Sequence, residues 1–329
     1  MKLHKYKPIT LFISFLLLVW QTTNTEVVNL HSVWTTDKMR KGSRRSSSPY
    51  ITGDGFREYA DHIIDYPFNF FNPSVVKNGD TIFVYPFYLE LFFSKIHPQI
   101  QEPYILITHN GVHSIPVYHY PDDKNIGSGN YSSYLDDDKL IAWFGKNILM
   151  HHQKLFPIPI GIPNAYFSDL GNTHTIEKIK KKPFKKLHLL YLNFAVQTNR
   201  GERQPVRKIF KDKPFCYVSQ KKPFIDYLQD MAESKFVLSP DGYGIECHRT
   251  WEAMLVGSIP IIKSGPLNHL YDNLPVLIVD DWNIITEKFL NTKYEEFQRR
   301  TFNLEKLYIP YWINTIGQVK NLHKKGIKK

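Results

Sequence analysis

The stretch SPDGYGIECHRTWEAMLVGSIPII, residues 239–262, decides the fold. Phe236-Val237-Leu238 ahead of it has strand character, and Ser239-Pro240-Asp241-Gly242-Tyr243-Gly244 breaks the strand. From Glu246 onward the residues fit a helix that stops at Gly257, a good residue for the position past a helix end. Residues 259–263 then read as the next strand. Glycines in such a loop let backbone approach a ligand, and the free N–H groups of the helix start, with the positive end of its dipole, favour an anion. A diphosphate suits that site. Arg249 and Glu252 are spaced i, i+3 and His248 and Glu252 i, i+4, so all three can share one helix face, with Trp251, Met254 and Leu255 left for the core. Arginine makes charge-assisted contacts with phosphate, and a carboxylate can take both hydroxyls of a ribose. Spacing alone fits a plain strand–turn–helix with a surface Arg–Glu pair equally well.

Outward from this stretch, the second half reads as strands at 187–194, 215–218, 236–239, 259–263 and 276–279, with helices at 223–232, 246–256 and beyond 280. In the first half, strand-length apolar runs at 81–85, 104–109, 140–144 and 155–160 alternate with helical patterns at 55–64 and 89–96. Such alternation predicts an α/β fold with parallel sheets, arranged as two Rossmann-like domains facing a cleft, with ligand at the carboxyl ends of the strands. The lysine-rich run 177–186 marks the boundary, giving a first domain at 49–176 and a second at 177–329.

The chain has 329 residues, 42% hydrophobic and 15% aromatic, enough for a full core, and carries 42 Lys+Arg against 31 Asp+Glu for a net charge of +11. That balance favours anionic partners. Much of the excess lies in runs (Lys178, Lys180, Lys181, Lys182, Lys185, Lys186, and Lys324, Lys325, Lys328, Lys329), which read as solvated basic loops rather than a nucleic-acid groove. Lys2, Lys5 and Lys7 precede an uncharged apolar run at 9–20, so residues 1–21 are expected to be a signal peptide or signal-anchor, shorter than the ~20 apolar residues of a comfortable span. Residues 22–48 are expected to be a polar stem or linker. This address predicts the Golgi or endoplasmic reticulum lumen, as a type II membrane protein or a secreted one after cleavage. Cys216 and Cys247 are too few for a disulfide scaffold, and Asn130-Tyr131-Ser132 is an N-glycosylation acceptor suited to a lumen.

With Phe236-Val237-Leu238-Ser239-Pro240, then Gly242, Gly244, His248-Arg249, Trp251-Glu252-Ala253, Gly257 and Ile259-Pro260-Ile261-Ile262, the segment resembles the exostosin-like glycosyltransferases, glycosyltransferase family 47. Residues 51–57, 104–110 and 157–162 are similar to segments of the same relatives. The resemblance implies a glycosyltransferase B-type fold and a nucleotide-sugar donor, a UDP-sugar first of all, in the second domain. It also implies a glycan or glycoprotein acceptor and transfer without a cofactor or an essential metal. Carried onto this chain, Arg249 would neutralise the donor diphosphate, Glu252 would bind its ribose, and Gly242 and Gly244 would admit the phosphates, with Ser239 beside them. Asn193 opens a tract containing Arg200, Arg203 and Arg207, of which Arg203 is the expected second phosphate clamp.

Transfer also needs a base for the acceptor hydroxyl. Asp54 and His109 in the first domain are the expected candidates, with Glu246 and His248 placed to touch the sugar. As bland readings, Asp54 caps the helix after it and His109 is a turn histidine. Asp136-Asp137-Asp138 resembles a metal-holding pair of acids, but it precedes a strand, the wrong end for ligand in an open α/β sheet. His151-His152 lacks a third ligand. The alternative to an enzyme is a secreted or lumenal carbohydrate- or nucleotide-binding protein without turnover.

Overall fold

The computed structural model describes residues 44–65, 71–117 and 129–326. The expected signal segment 1–21, the stem as far as 43, and Lys328 and Lys329 lie outside the described residues. Two five-stranded, all-parallel sheets organise the chain. The first has sequential order, β1 (His62–Ile64), β2 (Asp80–Val84), β3 (Tyr104–Thr108), β4 (Leu140–Gly145) and β5 (Leu155–Pro157). The second runs in the order β10-β9-β8-β6-β7, with β6 at His188–Leu192, β7 at Cys216–Val218, β8 at Ser234–Leu238, β9 at Ile259–Lys263 and β10 at Leu277–Val279. The architecture is the expected α/β one with two Rossmann-like halves.

Central strands are buried along their whole length, as in β3, where Tyr104, Ile105, Leu106 and Ile107 are each fully buried. A sheet covered on both faces requires such continuous apolar runs. This is why β3, β4, β8 and β9 were readable and β1 was not. Residues 55–64 do not form one helix: helix α1 (Gly53–Tyr59) ends where Ala60 turns extended, and His62–Ile64 pairs in parallel with Ile82–Val84. The carboxylate of Asp61 fixes that break by accepting from Thr81 N and Thr81 Oγ1, each at 2.9 Å. The pattern at 89–96 likewise gives only a short helical turn, Leu89–Leu91, that widens into a π turn at Phe92–Ile96.

Two helices arise where loops or a boundary were expected. Helix α2 (Thr173–Lys180) is capped by Asn172, and helix α3 (Arg200–Phe210) by Asn199, whose side chain accepts from Glu202 N. Asparagine is a favoured N-cap because its short carbonyl reaches an unpaired first-turn N–H. Helices α4 (Phe224–Ala232), α5 (His248–Leu255) and α6 (Glu287–Gln298) complete the second half. The last helix, α7 (Ile309–Lys324), returns to the first half and packs on α1 and β4. Trp312 and Ile316 thereby join the core of β2–β4. The end of the expected stem is also tied in: Arg44 pairs with Asp54 and with Asp65, and Ser47 is buried.

Past β5 the chain turns at Gly161, which has φ +64° and whose missing Cβ would stand 2.1 Å from the carbonyl oxygen of Ile51. Ile162 N donates to that same oxygen at 2.9 Å. Gly161→Ala adds both a left-handed strain and a backbone clash, so it should lower stability by at least about 2 kcal/mol. Chemical denaturation measures this, and an unchanged midpoint would contradict the geometry.

Candidate active site

The carboxyl ends of both sheets face a cleft of about 270 Å³. Gly53, His109, Asn110, Lys146 and Asn164 line it from the first half, and Arg203, Gly242, Gly244, Glu246 and His248 from the second.

The glycine loop is held from two sides. Ser239 continues β8 through its N–H to Ile261 O at 2.9 Å, and its hydroxyl meets Thr250 Oγ1 of α5 at 2.8 Å. Arg203 donates from Nε to Asp241 O (2.7 Å), from Nη1 to Ala195 O (3.0 Å) and Thr198 Oγ1, and from Nη2 to Pro240 O (3.2 Å). Four of the five N–H groups of its guanidinium are thus spent on shaping the loop. The expected phosphate clamp is first of all a pin for the loop. The glycines allow these contacts: a Cβ on Gly242 would lie 2.8 Å from Arg203 Nη2, and one on Gly244 2.7 Å from Asn147 Nδ2.

Helix α5 divides the expected site residues between its two sides. Glu246, just before it, is buried and accepts from Ile160 N (2.8 Å), Trp251 Nε1 (2.6 Å) and Tyr271 OH (3.4 Å). His248 Nδ1 lies 2.7 Å from Gly161 O, and burial lowers its pKa to about 4. A neutral imidazole beside a carbonyl oxygen carries its proton on that nitrogen, which leaves a lone pair on Nε2. Arg249 and Glu252 turn away, into the second half. Arg249 Nε donates to Asn193 O at 3.0 Å with its guanidinium over the Phe194 ring, and Glu252 accepts from Tyr227 OH at 2.9 Å. The single face expected for His248, Arg249 and Glu252 is therefore two neighbouring clusters. Asn193 sits in the second of these, its side chain donating to Tyr191 OH (2.9 Å) and Gln220 O (3.0 Å).

Both expected bases are already engaged. Arg44 and Asn110 occupy the buried carboxylate of Asp54, whose own N–H donates to Asn164 Oδ1 at 2.9 Å. His109 is fully buried, with Nε2 on Pro159 O at 3.0 Å and Nδ1 accepting from Asn110 N at 2.7 Å. Burial lowers its pKa to about 3, so it is neutral and has no lone pair to spare. His109 lines the wall of the cleft, and Asp54 is buried beside it.

Lys146 went unnoticed in the sequence. It follows β4 directly and is 7% exposed at the cleft wall. Its signal was legible: a lysine at the carboxyl end of a buried parallel strand points toward a ligand site. The Asp136–Asp138 run stands at the opposite, amino end of β4, where Asp137 meets His97 Nε2 at 3.1 Å. Both cysteines are free, with Cys247 at the start of α5 and Cys216 in β7.

A family model described as the RXYLT1 C-terminal domain matches residues 209–304, which contain β8, the glycine loop, α5 and β9. A protein of Arabidopsis thaliana, "Probable beta-1,4-xylosyltransferase IRX10L", is 29% identical over 151 residues, covering 44% of this chain. Over these matched residues the chain is similar to the exostosin-like glycosyltransferases. It spans about a third, 35%, of the length of that curated relative. Among solved structures, the crystal structure of the GtfA/B complex aligns with a TM-score of 0.33 at 11% identity, covering 75% of this chain and 54% of that one. The crystal structure of TarM aligns with 0.35 at 13%, covering 72% and 54%. At such scores the fold rests on the chain's own sheet topology.

Burial raises Glu252 from 4.5 to about 7. Between those values the folded chain binds more protons than the unfolded one, so this residue makes stability fall as pH rises. Glu252→Gln keeps an acceptor for Tyr227 and removes the titration. Relative to the parent, its Tm should climb from pH 4.5 to pH 7, by the equivalent of on the order of 3 kcal/mol at most, and level off above. A Tm difference that is constant with pH would contradict the buried carboxylate.

Proposed function

We propose that this exostosin-like chain transfers a sugar from a nucleotide-sugar donor to a glycan or glycoprotein acceptor, without an essential metal. The observation that carries the reading is the division of labour around α5. One cluster, Asn193, Tyr227, Arg249 and Glu252, gathers at the carboxyl ends of the second sheet, and another, Lys146, Glu246 and His248, lines the cleft. A donor bridging the two would set its ribose on Glu252 and its diphosphate along Arg249, the glycine loop and the N-terminal end of α5. Its sugar would then face the first half. The charge leaving with the diphosphate is met by fixed cations and N–H groups, the work that a divalent ion performs in metal-dependent transferases. His248, with Nδ1 held by Gly161 O, offers Nε2 to the acceptor hydroxyl.

UDP-xylose is the first donor to test, since the Arabidopsis relative carries a xylosyltransferase name. The Golgi or endoplasmic reticulum lumen is the proposed location, supported by the apolar run behind Lys2, Lys5 and Lys7 and by exposed Asn130 in its acceptor sequence. Membrane contact would be confined to the N-terminal segment, and no nucleic-acid partner is proposed.

Purified protein should hydrolyse or transfer from one member of a UDP- and GDP-sugar panel, with EDTA present. Arg249→Ala and Glu252→Ala should each lower kcat/KM by about 10²–10³, the scale of removing one charged transition-state or donor contact. Donor bound but never turned over would favour a binding protein. Activity lost to EDTA and restored by Mn²⁺ would contradict the metal-independent mechanism.

A further inference from the structure

Lys146 is a cation in need of a partner. Its residue is 7% exposed, and its ammonium has no hydrogen-bond acceptor among the described residues. Glu246, the carboxylate whose field it feels, has its oxygens occupied by Ile160 N, Trp251 Nε1 and Tyr271 OH. The other titratable groups whose fields couple to it are His109, His113 and His248, all held neutral by burial. Other guanidinium groups near the cleft are differently placed: Arg44 is paired with two aspartates, Arg203 is hydrogen-bonded to the loop, and Arg249 is anchored to Asn193 O and stacked on Phe194. A buried ammonium without hydrogen-bonded partners is unfavourable on its own, and an anionic ligand in the cleft relieves it.

We infer that Lys146 is a catalytic residue that binds the donor's sugar-proximal phosphate across the cleft from Arg249. The inference rests on the transferase reading above. Asn193, Tyr227 and Glu252 belong to the second half, so a donor held there runs its diphosphate toward the first. The phosphate nearest the sugar is the one that a first-half residue meets. In the transfer step the bond from the sugar C1 to the phosphate oxygen breaks, and its electron pair stays on the departing nucleoside diphosphate beside Lys146. The acceptor oxygen forms the new bond to C1, and its proton passes to His248 Nε2 and from there to water.

The test is calorimetric binding of UDP and UMP, with GDP and GMP in parallel, to the parent protein and to Lys146→Met, Lys146→Gln and Lys146→Arg, alongside Tm and turnover. The parent should bind one nucleoside diphosphate. Lys146→Met and Lys146→Gln should bind it at least tenfold more weakly, keep affinity for the matching monophosphate within about twofold, and keep or raise Tm once the unpaired charge is gone. Lys146→Arg should recover part of the diphosphate affinity, and kcat should fall more than KM rises in the neutral variants. Equal diphosphate affinity and equal kcat in Lys146→Met overturn the inference while leaving the transferase reading intact. So does a parallel loss of mono- and diphosphate binding. If the parent binds neither UDP nor GDP, the transferase reading fails and the inference falls with it.

Discussion

The start of helix α5 is fastened to the other half of the molecule, and the cleft depends on that fastening. Glu246 accepts from Ile160 N and His248 reaches Gly161 O, two consecutive backbone groups beyond β5. Both side chains are polar groups satisfied across the cleft, and Glu246 is buried, so losing its partner would leave an unpaired group in a water-poor place. The glycine loop, Arg203 and Asn147 pack around this joint. The position of α5 relative to the first sheet is thus set by hydrogen bonds that also define the floor of the site.

That joint explains why the two clusters on α5 act in different directions. Glu246 and His248, before and at the helix start, face the first half, and Arg249 and Glu252, from the next residue onward, face the second. A nucleotide sugar is itself bipartite, an anionic nucleotide joined to a neutral sugar. Under the proposed function, an interlobe site with cations and the Glu252 carboxylate on one side and polar groups on the other would suit that shape. Burial brings the carboxyls of Glu246 and Glu252 up and the ammonium of Lys146 down. Perturbed groups gathered in one concavity are what a functional site leads one to expect.

Much of the fold was legible because fully buried parallel strands announce themselves as unbroken apolar runs. The stretch 239–262 was legible through its resemblance to the exostosin-like pattern, because a glycine loop between strand and helix fits a plain turn equally well. What was not legible is instructive. The three-residue strand β1 is too short for periodicity, and Pro205 and the charges of 200–210 disguised helix α3, whose clearest signal is Asn199 as a cap. The catalytic roles expected for Asp54 and His109 came from position in sequence, while their availability depends on partners as remote as Arg44 and Pro159. Lys146 differs: its place at the carboxyl end of an apolar strand was legible, but only the packed structure reveals how deeply the lysine is buried.

The central claim is that one nucleotide sugar spans both clusters of α5. The most direct measurement is a crystal structure with the nucleoside diphosphate that binds. The account predicts ribose hydroxyls on Glu252, with the diphosphate lying over Gly242 and Gly244 between Arg249 and Lys146. A nucleotide lodged instead in the neighbouring cavity lined by Ser239, Asp241, Thr250 and Lys263, or bound with Glu252 still closed on Tyr227 and untouched by ligand, would contradict it.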